Sequence, residues 1–316
     1  MERLLVEYIV GLENLPPNPA ACAVTEGAFD GVHCGHQALL RAAREAAAEI
    51  GARTAVVTFE PTPAEVFRRL PRADLRLTVA EERREALEAL GVDVVVVAEF
   101  NEALQQLEPE QFVRQILVQG LNARAVVASE THTFGHKQGG NIYTLTRLGC
   151  ELGFEVRVLP LTDHEGEHVS STRIRELLWA GQVEEANRLF CREYTCFGEV
   201  ITGEGRGRKL GFPTANVSVP RPKLLPAEGV YAGWACLRAD RTQRWPAAIA
   251  LGSTPTFELP ADPRRLEVHL IGFEGDLVGR ELLVGFSRQL REQRAFAGVE
   301  ELVAQIRQDV AAAQAK

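Results

Sequence analysis

The apolar residues of this 316-residue chain are arranged differently in its two halves. In the first half, short and mostly apolar runs alternate with Ala- and Glu-rich segments of helical composition; the runs are 21–24, 54–59, 92–98, 125–128 and 154–159, and the helical segments are 37–50, 80–90 and 110–118. A strand that is apolar on both sides must be covered on both faces, and intervening helices supply that cover. The first half is therefore predicted to be a doubly wound α/β domain with a parallel sheet. Such domains bind ligands at the carboxyl ends of their strands.

The pattern changes near residues 186–193. Five strand-like segments follow, joined by Gly- and Pro-containing turns with no helix between them; they span 194–202, 229–237, 245–251, 266–273 and 282–286. This spacing predicts an antiparallel barrel or sandwich, closed by a helix over 299–313. The length fits two domains, since a domain holds roughly 100–200 residues. We place the boundary at residue 188, giving domains 1–188 and 189–316.

The charge and the cysteines limit the class of protein. A formal net charge of −8 at pH 7 argues against a nucleic-acid or acidic-membrane binder but leaves small anionic substrates open. None of the six cysteines forms a C-x-x-C pair, so we expect reduced, mostly buried thiols and a cytoplasmic protein. No leader or membrane span is expected, and the chain is expected to be a monomer or a transient homo-oligomer.

A glycine-rich turn between a predicted strand and a predicted helix carries the chemistry of the first half. Glycines let the backbone approach a phosphate closely, and the start of a helix offers unpaired N–H groups. His33 and His36 can reach the same phosphates, and their N–H donors suit the charge that develops when a phosphorus is attacked. We predict these two as catalytic. The predicted ATP-binding residues of this turn are Gly27, Phe29, Asp30, Gly31 and Gly35.

A second segment of the first half, VSSTRIR at 169–175, precedes a helix. Ser171 and Thr172 could cap that helix or donate to phosphate oxygens, and Arg175 could pair with a triphosphate. From these residues alone, helix capping and phosphate binding both remain open.

The second half contains a loop rich in glycine and cations, GEGRGRKLGFPTAN at 203–216. Its backbone N–H groups could wrap phosphates, although it is not a P-loop. The predicted ATP- or flavin-binding residues are Gly203, Gly205, Arg206, Gly207, Arg208, Lys209, Gly211 and Pro213.

Three oxygen-bearing side chains complete the candidate site of the second half. Thr214 and Asn216 would point to the same side of an extended segment, and hard oxygen ligands suit Mg²⁺ held with nucleotide phosphates. Glu267 shares one face of a predicted strand with His269, while the other face is apolar. A carboxylate at this position is suited to act as a general base that deprotonates a hydroxyl nucleophile. A solvent-facing strand residue without a catalytic role fits the same pattern equally well.

Together these motifs resemble the bacterial bifunctional riboflavin kinase / FAD synthetase family. GAFDGVHCGHQALL and VSSTRIREL are similar to its FMN adenylyltransferase module, and GEGRGRKLGFPTAN, GVYAGWA and LEVHLIGFEGDLVGREL to its riboflavin kinase module. The resemblance implies a six-stranded kinase barrel, with riboflavin, FMN, FAD, ATP and Mg²⁺ as substrates, products and cofactor. It implies that His33, Gly35 and His36 bind the ATP phosphates and that Asp30 helps to organise the turn. It implies that Ser171, Thr172 and Arg175 close on the triphosphate. It also implies that Thr214 and Asn216 bind Mg²⁺–ATP and that Glu267 deprotonates the ribityl 5′-hydroxyl.

The chain differs from the family pattern at five positions, which are Thr62, Thr131, His132, Ala250 and Thr254. His132 stands where the family has a phenylalanine; it either replaces an aromatic stack or is a solvated loop residue, and we favour the solvated residue. The favoured function is a two-activity enzyme. The alternatives are a riboflavin kinase whose adenylyltransferase module is weakened, transfer of a different nucleotide by the first half, and a flavin-binding regulator without catalysis.

Overall fold

The computed structural model describes residues 6–68, 76–161, 163–164, 167–203, 205–253 and 264–315. The chain divides into two compact units. The first unit contains residues 1–72 and 78–171, and the second contains 73–77 and 172–316. The domain boundary at residue 188 stays a prediction.

The first unit is built on a six-stranded sheet in which every pairing is parallel. The strands of this unit are β1 (Glu7–Val10), β2 (Cys22–Glu26), β3 (Arg53–Glu60), β4 (Val94–Glu99), β5 (Ala123–Ser129), β6 (Thr133–Phe134), β7 (Gly140–Asn141), β8 (Glu155–Leu159), β9 (Asp163–His164) and β10 (Glu167–His168). The sheet order is β1-β4-β3-β2-β5-β8. The chain winds outward from β2 through β3 to β4 and then returns to the other side of β2 at β5. The direction of winding therefore reverses between β2 and β5, which is where doubly wound folds bind ligands.

Helices cover both faces of this sheet. They are α1 (Cys34–Ile50), α2 (Pro63–Arg68), α3 (Ala80–Ala89), α4 (Glu102–Gln105), α5 (Pro109–Phe112) and α6 (Ile142–Leu152), and α7 (Ser171–Trp179) begins where the unit ends. Ala43, Ala46 and Ala47 of α1 pack on small residues of β2 and β5. A separate cluster joins the same sheet to Leu145 and Leu148 of α6. The prediction of a doubly wound parallel sheet is therefore confirmed.

Some local predictions for this unit are incomplete or wrong. The segment 110–118, predicted as one helix, is α5 followed by a π-helical stretch over Val113–Gly120. Composition indicates helical structure but does not distinguish one ladder of hydrogen bonds from another. The short edge strand β1 and helix α6 were not predicted. A strand of four residues gives little periodicity to detect.

The second unit contains a closed barrel of six antiparallel strands. These are β11 (Tyr194–Ile201), β12 (Ala215–Ser218), β13 (Gly229–Leu237), β14 (Asp240–Ser253), β15 (Arg264–Leu270) and β16 (Glu281–Arg291), in the order β11-β12-β15-β14-β13-β16. The helices of this unit are α7, of which all but Ser171 belongs here, α8 (Val183–Phe190), α9 (Arg206–Lys209) and α10 (Val299–Gln314). The barrel, its strand count and the terminal helix are confirmed.

The expectation that no helix interrupts the barrel strands is wrong, because α9 lies between β11 and β12. Gly205 and Gly211 flank this helix with φ of +67° and +86°, conformations that glycine adopts without steric cost. The glycines therefore shape a tight helical turn rather than an open loop.

Cys22, Cys196 and Cys236 are buried free thiols, and Cys150 is a free, exposed thiol. Cys34 and Cys191 are disulfide-bonded, so the expectation that all six cysteines are reduced is wrong. Of the helices that the structure describes, none is both long and apolar enough to cross a membrane.

Candidate functional sites

The turn between β2 and α1 lies at the carboxyl end of β2, where the winding reverses. It bends through three residues with positive φ: Phe29 at +48°, Gly31 at +91° and Val32 at +45°. This conformation is costly for phenylalanine and more so for a β-branched valine, and such strain persists only where surrounding contacts enforce it.

Thr78, which the sequence analysis did not select, holds one side of the turn. Its Oγ1 atom accepts a hydrogen bond from the Gly31 N–H at 2.9 Å and donates to the Asp30 carboxylate at 3.3 Å. The Thr78 N–H also donates to the same carboxylate oxygen at 3.0 Å. Asp30 and Thr78 are both buried. The Asp30 carboxylate thus accepts hydrogen bonds from both the N–H and the hydroxyl of Thr78.

The Ala28 carbonyl fixes the other side of the turn. It accepts hydrogen bonds from Arg83 Nη1 at 3.1 Å and from Thr58 Oγ1 at 3.2 Å. Arg83, only 2% exposed, also forms an ion pair with Glu60 at 2.9 Å. Ser171 Oγ donates to the Asp30 carbonyl at 2.9 Å. Arg83 was not predicted from the sequence either, although it stands four residues before the buried Leu87 on α3 and so shares its face.

His33 and His36 lie side by side at the start of α1. Their rings stack with centroids 3.7 Å apart, and the ring of Phe29 lies 5.0 Å from that of His36. His33 caps the helix, because its Nδ1 atom accepts a hydrogen bond from the His36 N–H at 3.4 Å. A ring nitrogen that accepts carries no proton, so the neutral His33 ring has its proton on Nε2.

His36 is a neutral side chain with an unsatisfied polar atom. Burial, and after it the neighbouring His33, hold the pKa of His36 well below its usual value of 6.5. Its Nδ1 atom is buried and has no hydrogen-bond partner among the described residues. Buried polar atoms without partners are rare, and at a helix start this one indicates a place for a ligand.

Thr172 and Arg175 lie on α7 with Ser171, and Arg175 is buried. By the division of the chain, Ser171 belongs to the first unit and the other two to the second. The phosphate-binding role of all three stays a prediction.

An aromatic cavity of about 430 Å³ opens beside the end of β2. Glu26, the residue directly before the turn, lines it together with five phenylalanines, which are Phe59, Phe67, Phe100, Phe112 and Phe134. A mostly apolar concave site with a few polar groups is typical of a pocket for a small, flat molecule.

His132 is not a solvated loop residue, so that expectation was wrong. Its side chain is 16% exposed, its ring stacks on Phe134 with centroids 5.6 Å apart, and its Nε2 atom lies 2.8 Å from Glu26 Oε1. Burial lowers the pKa of His132, but the charge of Glu26 and its hydrogen bond raise it further, and the net shift is upward.

The other differences from the family pattern fall at various places. Thr62 is buried and hydrogen-bonds Glu65 through both its N–H and its hydroxyl, which caps α2. Thr131 is an exposed turn residue, and Ala250 on β14 lies opposite Glu267. Thr254 lies outside the described residues.

In the second unit, the predicted oxygen-bearing side chains lie close together. Asn216 of β12 pairs with Glu267 of β15, and Thr214 Oγ1 lies 3.5 Å from Glu267 Oε2, a long hydrogen bond. Leu266 and Val268 are buried while Glu267 between them is partly exposed, as the alternation predicted. His269, on the same face as Glu267, contacts the Pro213 carbonyl through Nδ1 at 2.7 Å.

The glycine-rich loop packs tightly against these residues. A Cβ atom at Gly203 would overlap the Asn216 amide, and one at Gly207 would overlap the Phe212 carbonyl. Glycine is therefore required at Gly207 if the backbone is to keep its path, and glycine at Gly203 leaves room for the Asn216 side chain. The side chains of Arg206 and Lys209 lie outside the described part of the structure.

A cavity of about 280 Å³ adjoins this loop. Its lining includes Gly203, Gly205, Arg208, Pro213, Thr214 and Asn216, on one side, and Phe273 and Asp276 on the other. Glu267 does not line the cavity itself and contacts it through Thr214. The described residues contain no cluster of three His, Cys, Asp or Glu side chains able to hold a metal on their own.

A parallel sheet with a phosphate-type turn at its reversal point, joined to a barrel with a Thr–Asn–Glu cluster, defines a transferase with two nucleotide-dependent modules. The FAD synthetase family model matches residues 15–173, and the riboflavin kinase family model matches residues 190–316. The chain belongs to the bifunctional riboflavin kinase/FMN adenylyltransferase family.

Relatives of that description are similar over nearly the whole chain. The protein from Pseudomonas fluorescens is 39% identical, covering 98% of this chain and 97% of its own length. The proteins from Bacillus subtilis (strain 168) and Escherichia coli (strain K12) are 35% and 32% identical over 90% and 96% of this chain, and 88% and 96% of their own lengths are covered. A solved structure described as a macrolide-efflux protein from Streptococcus pneumoniae has a TM-score of 0.88 at 28% identity, covering 98% of this chain and 100% of that one.

Proposed function

We propose that the second unit of this chain phosphorylates riboflavin to FMN with ATP, and that the first unit joins FMN to ATP, forming FAD and releasing pyrophosphate. Membership of the family through both halves supports the pair of activities. The observation that carries the first of them is the buried, unpartnered Nδ1 of His36 at the reversal point of the sheet, next to an aromatic cavity.

In the first unit, a phosphate oxygen of FMN attacks the α-phosphorus of ATP, and the bond from that phosphorus to pyrophosphate breaks. His33 and His36 are neutral, so each offers an N–H donor to the phosphate oxygens on which charge develops. The turn that carries them is held in place by Thr78 and Arg83, so the donors need little rearrangement. Ser171, whose hydroxyl donates to the Asp30 carbonyl of the same turn, binds the triphosphate in this proposal. No covalent enzyme intermediate is required.

In the second unit, Glu267 accepts the proton of the ribityl 5′-hydroxyl, whose oxygen attacks the γ-phosphorus of ATP, and ADP leaves. Thr214 holds the Glu267 carboxylate in position through its hydroxyl. The loop from Gly203 to Pro213 binds the nucleotide with its backbone N–H groups, and Arg208 adds a positive charge at the cavity.

Thr214 and Asn216 would hold Mg²⁺ in the second unit. Mg²⁺ keeps several waters and binds through one or two protein oxygens plus substrate phosphates, which fits two neutral oxygen side chains near one carboxylate better than a cluster of acidic residues. When bound, the ion would neutralise charge on the phosphates.

Two assays on separate substrates test this assignment. FMN formation from riboflavin and FAD formation from supplied FMN are followed by chromatography with ATP and Mg²⁺. His36→Ala removes a donor of the first site, so it should abolish FAD formation and leave FMN formation unchanged. Glu267→Gln should do the reverse. Glu281→Gln, an exposed glutamate on β16, is the matched control and should change neither.

The opposite outcomes separate the alternatives. A wild-type protein that makes FMN but little FAD would support the kinase with a weakened adenylyltransferase. FAD formation that survives His36→Ala would place the chemistry elsewhere. The proposal further includes a cytoplasmic location, a monomeric or transiently homo-oligomeric state, and no nucleic-acid or membrane partner.

A further inference from the structure

The aromatic cavity of the first unit contains an unusual acidic group. The Glu26 side chain is 8% exposed and lines a cavity together with five phenylalanines. The other polar residues that line this cavity are Gln105, Thr133, Lys137 and Gln138. Burying a carboxylate among apolar groups is unfavourable unless the charge is paired and hydrogen-bonded. The Glu26 carboxylate therefore needs hydrogen-bond or charged partners.

One partner of the Glu26 carboxylate is a side chain of the protein itself. His132 bonds to Glu26 Oε1 at 2.8 Å and is not itself a lining residue. Its ring is fixed in turn by stacking on Phe134. No described residue donates a hydrogen bond to the second oxygen, Oε2. A carboxylate has about four acceptor positions, so Glu26 keeps acceptor capacity for a ligand.

The position of Glu26 limits which part of a ligand it meets. It is the last residue of β2, immediately before the turn that carries His33 and His36. When a molecule has its phosphate at that turn and its ring in the aromatic cavity, the ring lies close to Glu26.

We infer that Glu26, held by His132, is a specificity-determining residue that accepts a hydrogen bond from a ring N–H of a planar heteroaromatic acceptor. This rests on the proposed function, in which the acceptor is FMN, whose isoalloxazine ring carries one such donor, N3–H. His132 is a positioning residue, since it acts through Glu26. The pair makes the cavity select for a ring imide over an equally flat ring that lacks the N–H.

FMN methylated at N3 tests the inference, because methylation removes the donor and keeps the ring and the phosphate. The measured quantity is kcat/KM for adenylyl transfer with FMN divided by that with N3-methyl-FMN. For the wild type we expect a ratio of about 10 to 100, the range for one hydrogen bond to a charged acceptor.

Glu26→Gln separates a hydrogen bond from a steric clash. Glutamine has the same shape, so a clash with the methyl group would leave the ratio unchanged, whereas loss of the charge should lower it several-fold. Glu26→Ala leaves room for the methyl group, and its ratio should fall close to one. Riboflavin phosphorylation by each variant reports that the second unit is folded and should equal that of the wild type. Partial unfolding of the first unit would lower the rates with both flavins equally and so would not change the ratio.

A wild-type ratio near one, or equal ratios in the wild type and Glu26→Gln, would overturn the inference while leaving FAD synthesis intact. Failure of the wild type to make FAD from FMN would instead contradict the proposed function. His132→Phe should raise KM for FMN more than it lowers kcat, because it disturbs the placement of Glu26 and not the phosphates. An equal loss in both would contradict the positioning role.

Discussion

Thr78→Val tests how the strained turn is held. Valine keeps the shape of threonine and removes the hydroxyl that links Gly31 to Asp30. The change deletes a hydrogen bond to a carboxylate and takes a partner from a buried N–H. Each such loss costs about 1–3 kcal/mol, and we expect the first unit to lose about 2–4 kcal/mol because the Thr78 N–H still bonds to Asp30.

Thr78→Val should also slow the formation of FAD. The residues at φ of +48° and +45° are then less firmly held, and His33 and His36 follow the turn directly. A displacement of about 1 Å can reduce a rate about 100-fold, so FAD formation should fall to that extent while FMN formation is unchanged.

The assays are thermal unfolding of the first unit and the two separate activities. The matched control is Thr242→Val, whose hydroxyl bonds to Asp240 at the exposed start of β14. It should change stability by less than about 0.5 kcal/mol, as surface substitutions usually do. If Thr78→Val unfolds at the wild-type temperature and makes FAD at the wild-type rate, the turn is not held as described.

Three further predictions concern other parts of the chain. Gly207→Ala places a methyl group against a backbone carbonyl, so FMN formation should fall at least about 10-fold while FAD formation from FMN persists; Gly298→Ala, with open space around it, should change neither rate. Because the pKa of His132 is raised in the folded protein, its ion pair with Glu26 stabilises the fold fully below pH 6.5, and this stabilisation is lost as the pH rises through the higher folded pKa. The difference in Tm between the wild type and His132→Phe should therefore shrink with rising pH. A difference that stays constant with pH would contradict this. Arg291→Met leaves the buried carboxylate of Asp309 on α10 without the guanidinium 2.8 Å away, so the barrel unit should lose about 3–5 kcal/mol in denaturant unfolding, and a loss below about 1 kcal/mol would contradict it.

The longer strands of both halves could be predicted because their apolar patterns are strong. The valine run of β4 is buried from Val94 to Ala98, and a strand covered on both faces leaves that signature in any sequence. The choice between barrel and sandwich could not be made from the residues, because both share the same alternation along each strand; closure depends on β12, whose four residues give almost no periodicity.

The two histidines proposed to bind phosphates could be selected from the sequence, and the residues that hold their turn could not. His33 and His36 stand in a motif of fixed spacing, which a local pattern reveals. Thr78 and Arg83 reach the turn from about 50 residues further along the chain, and an ordinary helix start and an ordinary helical arginine give no local signal of such contacts. The role of His132 was misjudged for the same reason, because its partner Glu26 is distant in sequence.

The most direct test of the account is a time course of wild-type protein with riboflavin, ATP and Mg²⁺, in which the flavins are separated by chromatography. The account predicts that FMN appears first, that FAD follows, and that pyrophosphate release matches the FAD formed. An experiment in which FMN accumulates without FAD, or in which riboflavin is not converted, would contradict the claim that one chain carries out both steps.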